Sequence, residues 1–120
     1  MGKKILVIDD SPFVFKTVVK ALEGTEYLVV DNALNGQMGL DKYDQHHPDV
    51  ITLDVTMPVM DGLETARHLF AKNPNVKIIM LSAMGDEALL SEARSIGIKH
   101  FLMKPFKPDM LKEKLADILG

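Results

Sequence analysis

Five polar side chains each follow a short apolar run in this sequence: three carboxylates, one hydroxyl and one ammonium group. They are Asp9 and Asp10 after the first run, Asp54 after the third, Ser82 after the fourth and Lys104 after the fifth. If the runs are strands of a parallel sheet, their C-terminal ends share one edge, which is where ligands bind in such folds. The sequence therefore predicts one site at this edge.

The three carboxylates of this site indicate a bound cation. Carboxylates 4 Å apart repel by about 4 kcal/mol per pair at an effective dielectric near 20. Such a cluster raises its pKa values, binds a cation, or does both. The ligands would be oxygens, and the chain has no cysteine and only dispersed histidines. This favours Mg²⁺, with Mn²⁺ as an alternative. A divalent metal ion, a lysine and a hydroxyl together suit a phosphoryl group.

Other phosphate-binding arrangements fit the sequence less well. The chain has no Gly-x-x-x-x-Gly-Lys-Ser/Thr loop of the kind found in P-loop nucleotide enzymes. No glycine-rich turn follows the first apolar run, which argues against dinucleotide or flavin binding. Phosphatases of the haloacid dehalogenase type carry an Asp-x-Asp motif. In this sequence the residue two positions after Asp54 is Thr56 and not an aspartate. A metal-dependent phosphatase stays as an alternative, which phosphate release from a panel of monoesters would test.

Apolar runs alternate with stretches of helical period along the whole chain. We predict strands at about 4–8, 27–31, 50–53, 77–81 and 100–103. We predict helices at about 12–23, 36–45, 63–72, 87–96 and 108–119. Five strand-then-helix units indicate an α/β fold, a flavodoxin-like (βα)5 doubly wound parallel sheet with strand order 2-1-3-4-5. The second and fifth strands are mixed in polarity, which suits the edges.

Local signals mark some helix boundaries. Ser11 followed by Pro12 is typical of a helix start, and Gly24 predicts the end of the same helix. Gly39 inside the second helix is unfavourable by about 1 kcal/mol relative to alanine.

Length, charge and composition limit the classes of protein. We expect one domain over residues 1–120, with 47% hydrophobic residues and a net charge of −3. The dispersed lysines and arginines give no basic surface for direct binding to nucleic acid. No apolar run approaches the roughly 20 residues of a membrane span, so we expect no membrane insertion. The lack of cysteine fits a reducing compartment. We expect a cytoplasmic monomer.

The motifs together resemble the receiver domain of two-component response regulators, and most of all the single-domain chemotaxis regulators of the CheY type. The resemblance spans the chain. It is carried by Asp9-Asp10, the stretch DVTMPVMDG at 54–62, Ser82-Ala83 and Lys104-Pro105-Phe106.

The resemblance implies a phosphoacceptor and its metal ligands. Asp54 would accept the phosphoryl group. Asp10 would be the main direct metal ligand, Asp54 a second, and the backbone carbonyl of Thr56 a third, with Asp9 acting partly through water. Hydrolysis of the acyl phosphate would depend on Thr56 and Met84, which flank the approach of water. Neither is acidic or an amide, so we predict slow loss of the phosphoryl group.

The resemblance also implies a switch. Ser82 and Lys104 would each bind a phosphoryl oxygen, and Phe101 stands at the position of the switch aromatic. The Lys104–Pro105 peptide bond would be cis, which is rare elsewhere. Phosphorylation would draw Ser82 inward and let Phe101 turn in behind it.

The partners follow from the same resemblance. A histidine kinase or a phosphotransfer domain would supply the phosphoryl group. An output protein, with the flagellar motor switch as a candidate, would bind the face of the fourth helix, fifth strand and fifth helix. The protein would be a regulatory phosphoacceptor and not an enzyme beyond self-phosphorylation and slow autodephosphorylation. The alternative is a receiver domain detached from a larger transcriptional or enzymatic regulator. The sequence stops directly after the fifth helix, which favours a stand-alone protein.

Overall fold

Each apolar run and each helical stretch forms the element predicted for it. The computed structural model describes residues 2–119, so Met1 and Gly120, the two ends of the predicted domain, lie outside the described residues. The strands are β1 (Lys3–Ile8), β2 (Tyr27–Ala33), β3 (Val50–Asp54), β4 (Ile78–Ser82) and β5 (His100–Met103). The helices are α1 (Pro12–Ala21), α2 (Gly36–His46), α3 (Gly62–Lys72), α4 (Glu87–Ile96) and α5 (Pro108–Leu119).

The five strands form one parallel sheet in the order β2-β1-β3-β4-β5. This confirms the predicted flavodoxin-like topology, with β2 and β5 at the edges. The central strands β3 and β4 are buried along their whole length. Strands covered by helices on both faces need apolar residues throughout, and this is why these runs do not alternate with polar residues.

Alternate residues of each strand supply two separate cores, because successive side chains point to opposite faces of the sheet. On one face Leu6, Ile8 and Met80 pack with residues of α2, α3 and α4. On the other face Ile5 and Val7 pack with residues of α1 and α5. Burial of one such aliphatic side chain stabilises the fold by about 1.5–3 kcal/mol. The two cores together fix the sheet edge that carries the site.

Two glycines let helices approach the sheet closely. A Cβ at Gly62 would lie 2.1 Å from the carbonyl oxygen of Asp54, so the start of α3 can rest against the end of β3 only without a side chain there. A Cβ at Gly39 would lie 2.5 Å from Cδ1 of Ile8. The helix-weakening glycine of α2 therefore lies where a side chain would displace that of Ile8.

The helix ends show where local signals hold and where they do not. Helix α1 begins at Pro12 as predicted, but the Ser11 side chain makes no capping hydrogen bond. It ends at Ala21 rather than at 23, and Gly24 follows with a positive φ of 75°. Among residues 2–119, none of these helices combines the length and the apolar character that crossing a membrane requires.

Candidate functional site

Three carboxylates meet at the C-terminal edge of the sheet. Asp9 and Asp10 follow β1, and Asp54 ends the neighbouring strand β3. One carboxylate oxygen from each residue lies within 4.8 Å of the other two, and residues 2–119 contain no other such group of three. Asp9 and Asp54 are buried, whereas Asp10 is exposed. The structure thus brings together the three acidic residues that the sequence singled out.

Lys104 lies between two of these carboxylates. Its Nζ is 3.1 Å from Oδ2 of Asp9 and 3.1 Å from Oδ1 of Asp54, to which it donates a hydrogen bond. Its backbone N–H donates to the carbonyl oxygen of Ser82 at 2.7 Å, which holds the residue at the end of β4. The Lys104–Pro105 peptide bond is cis, the isomer that the resemblance implied.

Burial and neighbouring charges shift the pKa values of this cluster. Burial raises the pKa of the Asp54 carboxyl group, and the negative charge of Asp9 raises it further, against the opposing effects of Lys104 and the Thr56 backbone amide. Burial alone would lower the pKa of Lys104, but the charges of Asp9 and Asp54 outweigh it and raise that pKa. Lys104 therefore stays protonated, and its ammonium group contacts two of the three carboxylates, those of Asp9 and Asp54.

One oxygen of the site is buried without a hydrogen-bond donor. Asp9 is fully buried, and its Oδ1 accepts from the backbone N–H of Ser11 at 2.8 Å. Its Oδ2 accepts no hydrogen bond among the described residues, and its contact is the ion pair with Lys104 Nζ at 3.1 Å. A hard oxygen ligand set with one unsatisfied member fits Mg²⁺.

Ser82 and Phe101 lie beside this cluster on neighbouring strands. Ser82 ends β4 and is 3% exposed, one residue past Leu81, the strand partner of Asp54. Phe101 pairs with Met80, which stands two residues before Ser82 on β4. The side chains of Phe101 and Ser82 therefore point to the same side of the sheet. Phe101 is partly buried among the residues that pack under α3 and α4.

Two further predicted positions are open to solvent. Thr56 is exposed, and Met84 is 86% exposed. Neither side chain makes a hydrogen bond to the carboxylate cluster among the described residues. They stand in the loops that follow β3 and β4, at the edge where water reaches the site.

Arg94 is a residue that the sequence did not single out. It lies on α4, and its Cζ is 5.0 Å from the centroid of the Phe101 ring. The contact joins a helix to the following strand across the turn at Gly97, which has a φ of 129°. Neither helical nor strand spacing relates the two positions, so no local pattern marks the pair.

A cleft of about 490 Å³ lies at the opposite, N-terminal edge of the sheet. Its lining includes Phe70, Lys77 and His100, and Asp117 is its single carboxylate. Burial lowers the pKa of His100, and the nearby Lys114 adds to this effect. Within the part of the chain that the structure describes, the cleft contains no group of three His, Asp or Glu side chains able to hold a metal ion. The chemistry therefore assigns the site to the acidic edge.

A flavodoxin-like sheet with an acidic cluster and a lysine at its C-terminal edge defines a class of regulatory α/β domain. The family model for the response regulator receiver domain matches residues 5–116. The chain belongs to this family, which acts in two-component signalling and is regulatory rather than metabolic.

Individual relatives agree with the family match. The chain is 41% identical to the chemotaxis protein CheY of Listeria monocytogenes over 93% of this chain and 94% of that one. It is 44% identical to a protein-glutamate methylesterase/protein-glutamine glutaminase of Halalkalibacterium halodurans, covering 97% of this chain but 34% of that protein. The crystal structure of the CheX–CheY–BeF3–Mg²⁺ complex from Borrelia burgdorferi matches with a TM-score of 0.91 at 29% identity, over 98% of this chain and 90% of that one. The chain is a receiver domain of the CheY type.

Proposed function

We propose that this receiver domain accepts a phosphoryl group in a two-component phosphorelay and that the accepting group is the carboxylate of Asp54. The observation that carries the proposal is the position of the Lys104 ammonium group, 3.1 Å from both Asp54 and Asp9. A buried carboxylate that shares one cation with further carboxylates is suited to gain a phosphoryl group, because the cation can follow the new charge.

The transfer step replaces one bond to phosphorus by another. An oxygen of the Asp54 carboxylate attacks the phosphorus atom of a phosphohistidine on a histidine kinase or a phosphotransfer domain. The P–N bond breaks, its electron pair returns to the imidazole, and the imidazole takes a proton from water. The product is an acyl phosphate on Asp54. Catalysis of such a step rests on positioning and charge stabilisation.

The acidic cluster would hold a metal ion. Asp9, Asp10 and Asp54, with the backbone carbonyl of Thr56, would bind Mg²⁺ or, in its place, Mn²⁺. The bound ion would offset the charges of the carboxylates and of the phosphoryl oxygens. The buried Oδ2 of Asp9, which has no hydrogen-bond donor, supports this ligand set.

Ser82 and Lys104 would stabilise the product. The Lys104 ammonium group would leave Oδ1 of Asp54 and pair with a phosphoryl oxygen, and the Ser82 hydroxyl would donate to another. Ser82 is buried next to the strand position paired with Asp54, so a short movement brings it to the phosphoryl group. This movement would free the space into which Phe101 turns.

The inward turn of Phe101 would change the face formed by α4, β5 and α5. Met103 and Met110 expose apolar surface on β5 and α5 of this face, with 49% and 42% of their areas accessible. We propose that an output protein binds there, with the flagellar motor switch as the candidate because the relatives are chemotaxis proteins. The domain would act as a cytoplasmic monomer, without nucleic acid.

A second candidate function has one specific observation in its favour. The methylesterase relative is 44% identical, and the chain spans 34% of its length. The chain would then be the receiver part of a larger enzymatic or transcriptional regulator. Reading the coding sequence beyond Gly120 distinguishes the two candidates.

Phosphorylation from acetyl phosphate with Mg²⁺ tests the proposed acceptor. Intact-mass spectrometry should find one added phosphoryl group on the wild type and none on Asp54→Asn. The matched control is Asp61→Asn, seven residues along the same motif, because asparagine also caps α3. Full labelling of Asp54→Asn would move the acceptor elsewhere.

A further inference from the structure

Helix α4 is held to the rest of the domain by few buried side chains. Of its 10 residues only Ala93 is buried, and Asp86 at its N-terminus makes no side-chain capping bond. Gly85 and Gly97 stand on either side of it with φ values of 95° and 129°. An element with so little burial is drawn from the low-stability end of a fold, so single surface contacts can decide its position.

Two arginines supply such surface contacts to α4 and its neighbours. Arg67 on α3 forms an ion pair with Glu92 on α4. Arg94 on α4 places its guanidinium group over the ring of Phe101 on β5, with Cζ 5.0 Å from the ring centroid. The first contact joins two helices. The second joins α4 to the aromatic residue of the proposed switch.

The distance between Arg94 and Phe101 is that of a cation–π contact, in which the positive charge lies within about 6 Å of the ring centroid. The ring is partly buried against the core, and the guanidinium group lies over it. A ring that turned inward, toward the space beside Ser82, would move away from the guanidinium group. The contact therefore favours the half-exposed orientation over the inward one.

We infer that Arg94 is a positioning residue that holds Phe101 in its half-exposed orientation and so sets the threshold of the switch. This inference rests on the proposed function. At a partly exposed site a cation–π contact changes an equilibrium by about 2–5-fold. By linkage, a phosphoryl group or phosphoryl analogue at Asp54 that favours the inward ring is bound more weakly by the same factor of about 2–5.

The ring orientation in the ligand-free protein is the first measurement. The ¹³C–¹H NMR signals of the Phe101 ring are assigned by their loss in Phe101→Leu. In Arg94→Gln they should move toward the positions found for the wild type with beryllofluoride and Mg²⁺. Glutamine has nearly the helix propensity of arginine, so α4 itself is not weakened. Arg94→Lys, which keeps a cation, should stay closer to the wild type.

The affinity for beryllofluoride at fixed Mg²⁺ is the second measurement. Arg94→Gln should bind it about 2–5-fold more tightly than the wild type. A control removes one positive charge elsewhere and should leave the affinity unchanged. Lys99→Gln removes such a charge beside β5.

A double-mutant cycle isolates the ring from other effects of the arginine. In the Phe101→Leu background, which keeps an apolar side chain without a π face, Arg94→Gln should have no effect on affinity. An equal effect in both backgrounds, or unchanged ring signals in Arg94→Gln, overturns the inference. If the wild type binds no beryllofluoride, the proposed function fails, and the ring signals of Arg94→Gln and Arg94→Lys without ligand still decide whether Arg94 orients Phe101.

Discussion

Two clusters of aspartate and lysine side chains in this domain differ in their ratio of acidic to basic groups. At the edge strand β2, one carboxylate meets two basic groups: Asp31 Oδ1 is 2.8 Å from Lys42 Nζ, and Oδ2 is 2.9 Å from His46 Nε2. The hydrogen bond from Lys42 is the main reason that the pKa of Asp31 is lowered to about 2. At the acidic edge, two of the three carboxylates, those of Asp9 and Asp54, share Lys104, and the pKa of Asp54 is raised.

Two properties distinguish a stabilising ion pair from a reactive site: the ratio of acidic to basic groups, and how deeply the carboxylates are buried. The Asp31 cluster is satisfied as it stands, because each carboxylate oxygen has its own partner. The Asp54 cluster keeps an excess of negative charge and a buried oxygen without a donor. A stabilising cluster needs no ligand, whereas the second cluster gains stability from a cation.

The largest expected difference concerns the two lysines. Lys104→Met should slow labelling by acetyl phosphate about 10²–10³-fold, because it removes a cation directed at the charge of the phosphoryl group. Lys42→Met serves as the matched control. It removes the lysine that pairs with Asp31 of β2, and it should leave the labelling rate unchanged. Equal rates for Lys104→Met and the wild type would remove Lys104 from the reaction.

The response of stability to Mg²⁺ is the next largest effect. At Mg²⁺ concentrations about 100 times the dissociation constant, the wild type should gain about 2.7 kcal/mol in the free energy of unfolding. Asp10→Ala should lose most of this gain, and without metal it should melt above the wild type because one repulsive charge is gone. Asp41→Ala, which removes an exposed acid of α2, should keep the full gain. Denaturant unfolding with and without Mg²⁺ measures both quantities. A full metal response in Asp10→Ala would contradict the ligand set.

The open side of the acidic edge gives a smaller kinetic effect. Met84 is exposed and apolar, so it cannot orient a water molecule for attack on the acyl phosphate. Met84→Glu should speed dephosphorylation about tenfold, which is below the usual range for one general catalytic contact because the site is open. Leu34→Glu adds the same charge to the loop after β2 and should have little effect. A rate for Met84→Glu at or below that of the wild type rejects the argument.

The smallest effects separate the two clusters by the sign of their pH dependence. A depressed pKa at Asp31 contributes stability that is present above the unfolded value of 3.8 and is lost as the pH falls toward about 2. Asp31→Asn should therefore lose about 1 kcal/mol at pH 7, after allowance for screening by solvent, and little at the acid end. Asp54 has a raised pKa, so its charge opposes folding at neutral pH. Asp54→Asn should stabilise the metal-free protein at pH 7. Denaturant unfolding across this pH range tests both signs, and changes of the same sign would refute the distinction.

Much of the fold and the acidic cluster could be predicted because both depend on short-range patterns. Apolar runs ending in Asp9, Asp54 and Lys104 predict the strands, and parallel topology then brings the strand ends together. The edge position of β2 likewise follows from its mixed polarity.

Other features depend on distances across the fold, which the sequence does not contain. The ion pair of Asp9 Oδ2 with Lys104 depends on how close the end of β5 comes to the end of β1. The contact of Arg94 with Phe101 depends on the turn at Gly97.

Carboxyl-carbon NMR of ¹³C-labelled aspartate tests the central difference most directly, because Asp54 and Asp31 are observed in one sample. Signals are assigned with Asp54→Asn and Asp31→Asn, and Mg²⁺ is added at neutral pH. The Asp54 signal should shift with Mg²⁺ and its pKa should fall, while the Asp31 signal stays in place because that carboxylate already has both partners. Equal responses of the two residues, or no response at Asp54, would contradict a metal-dependent phosphoacceptor site at the acidic edge.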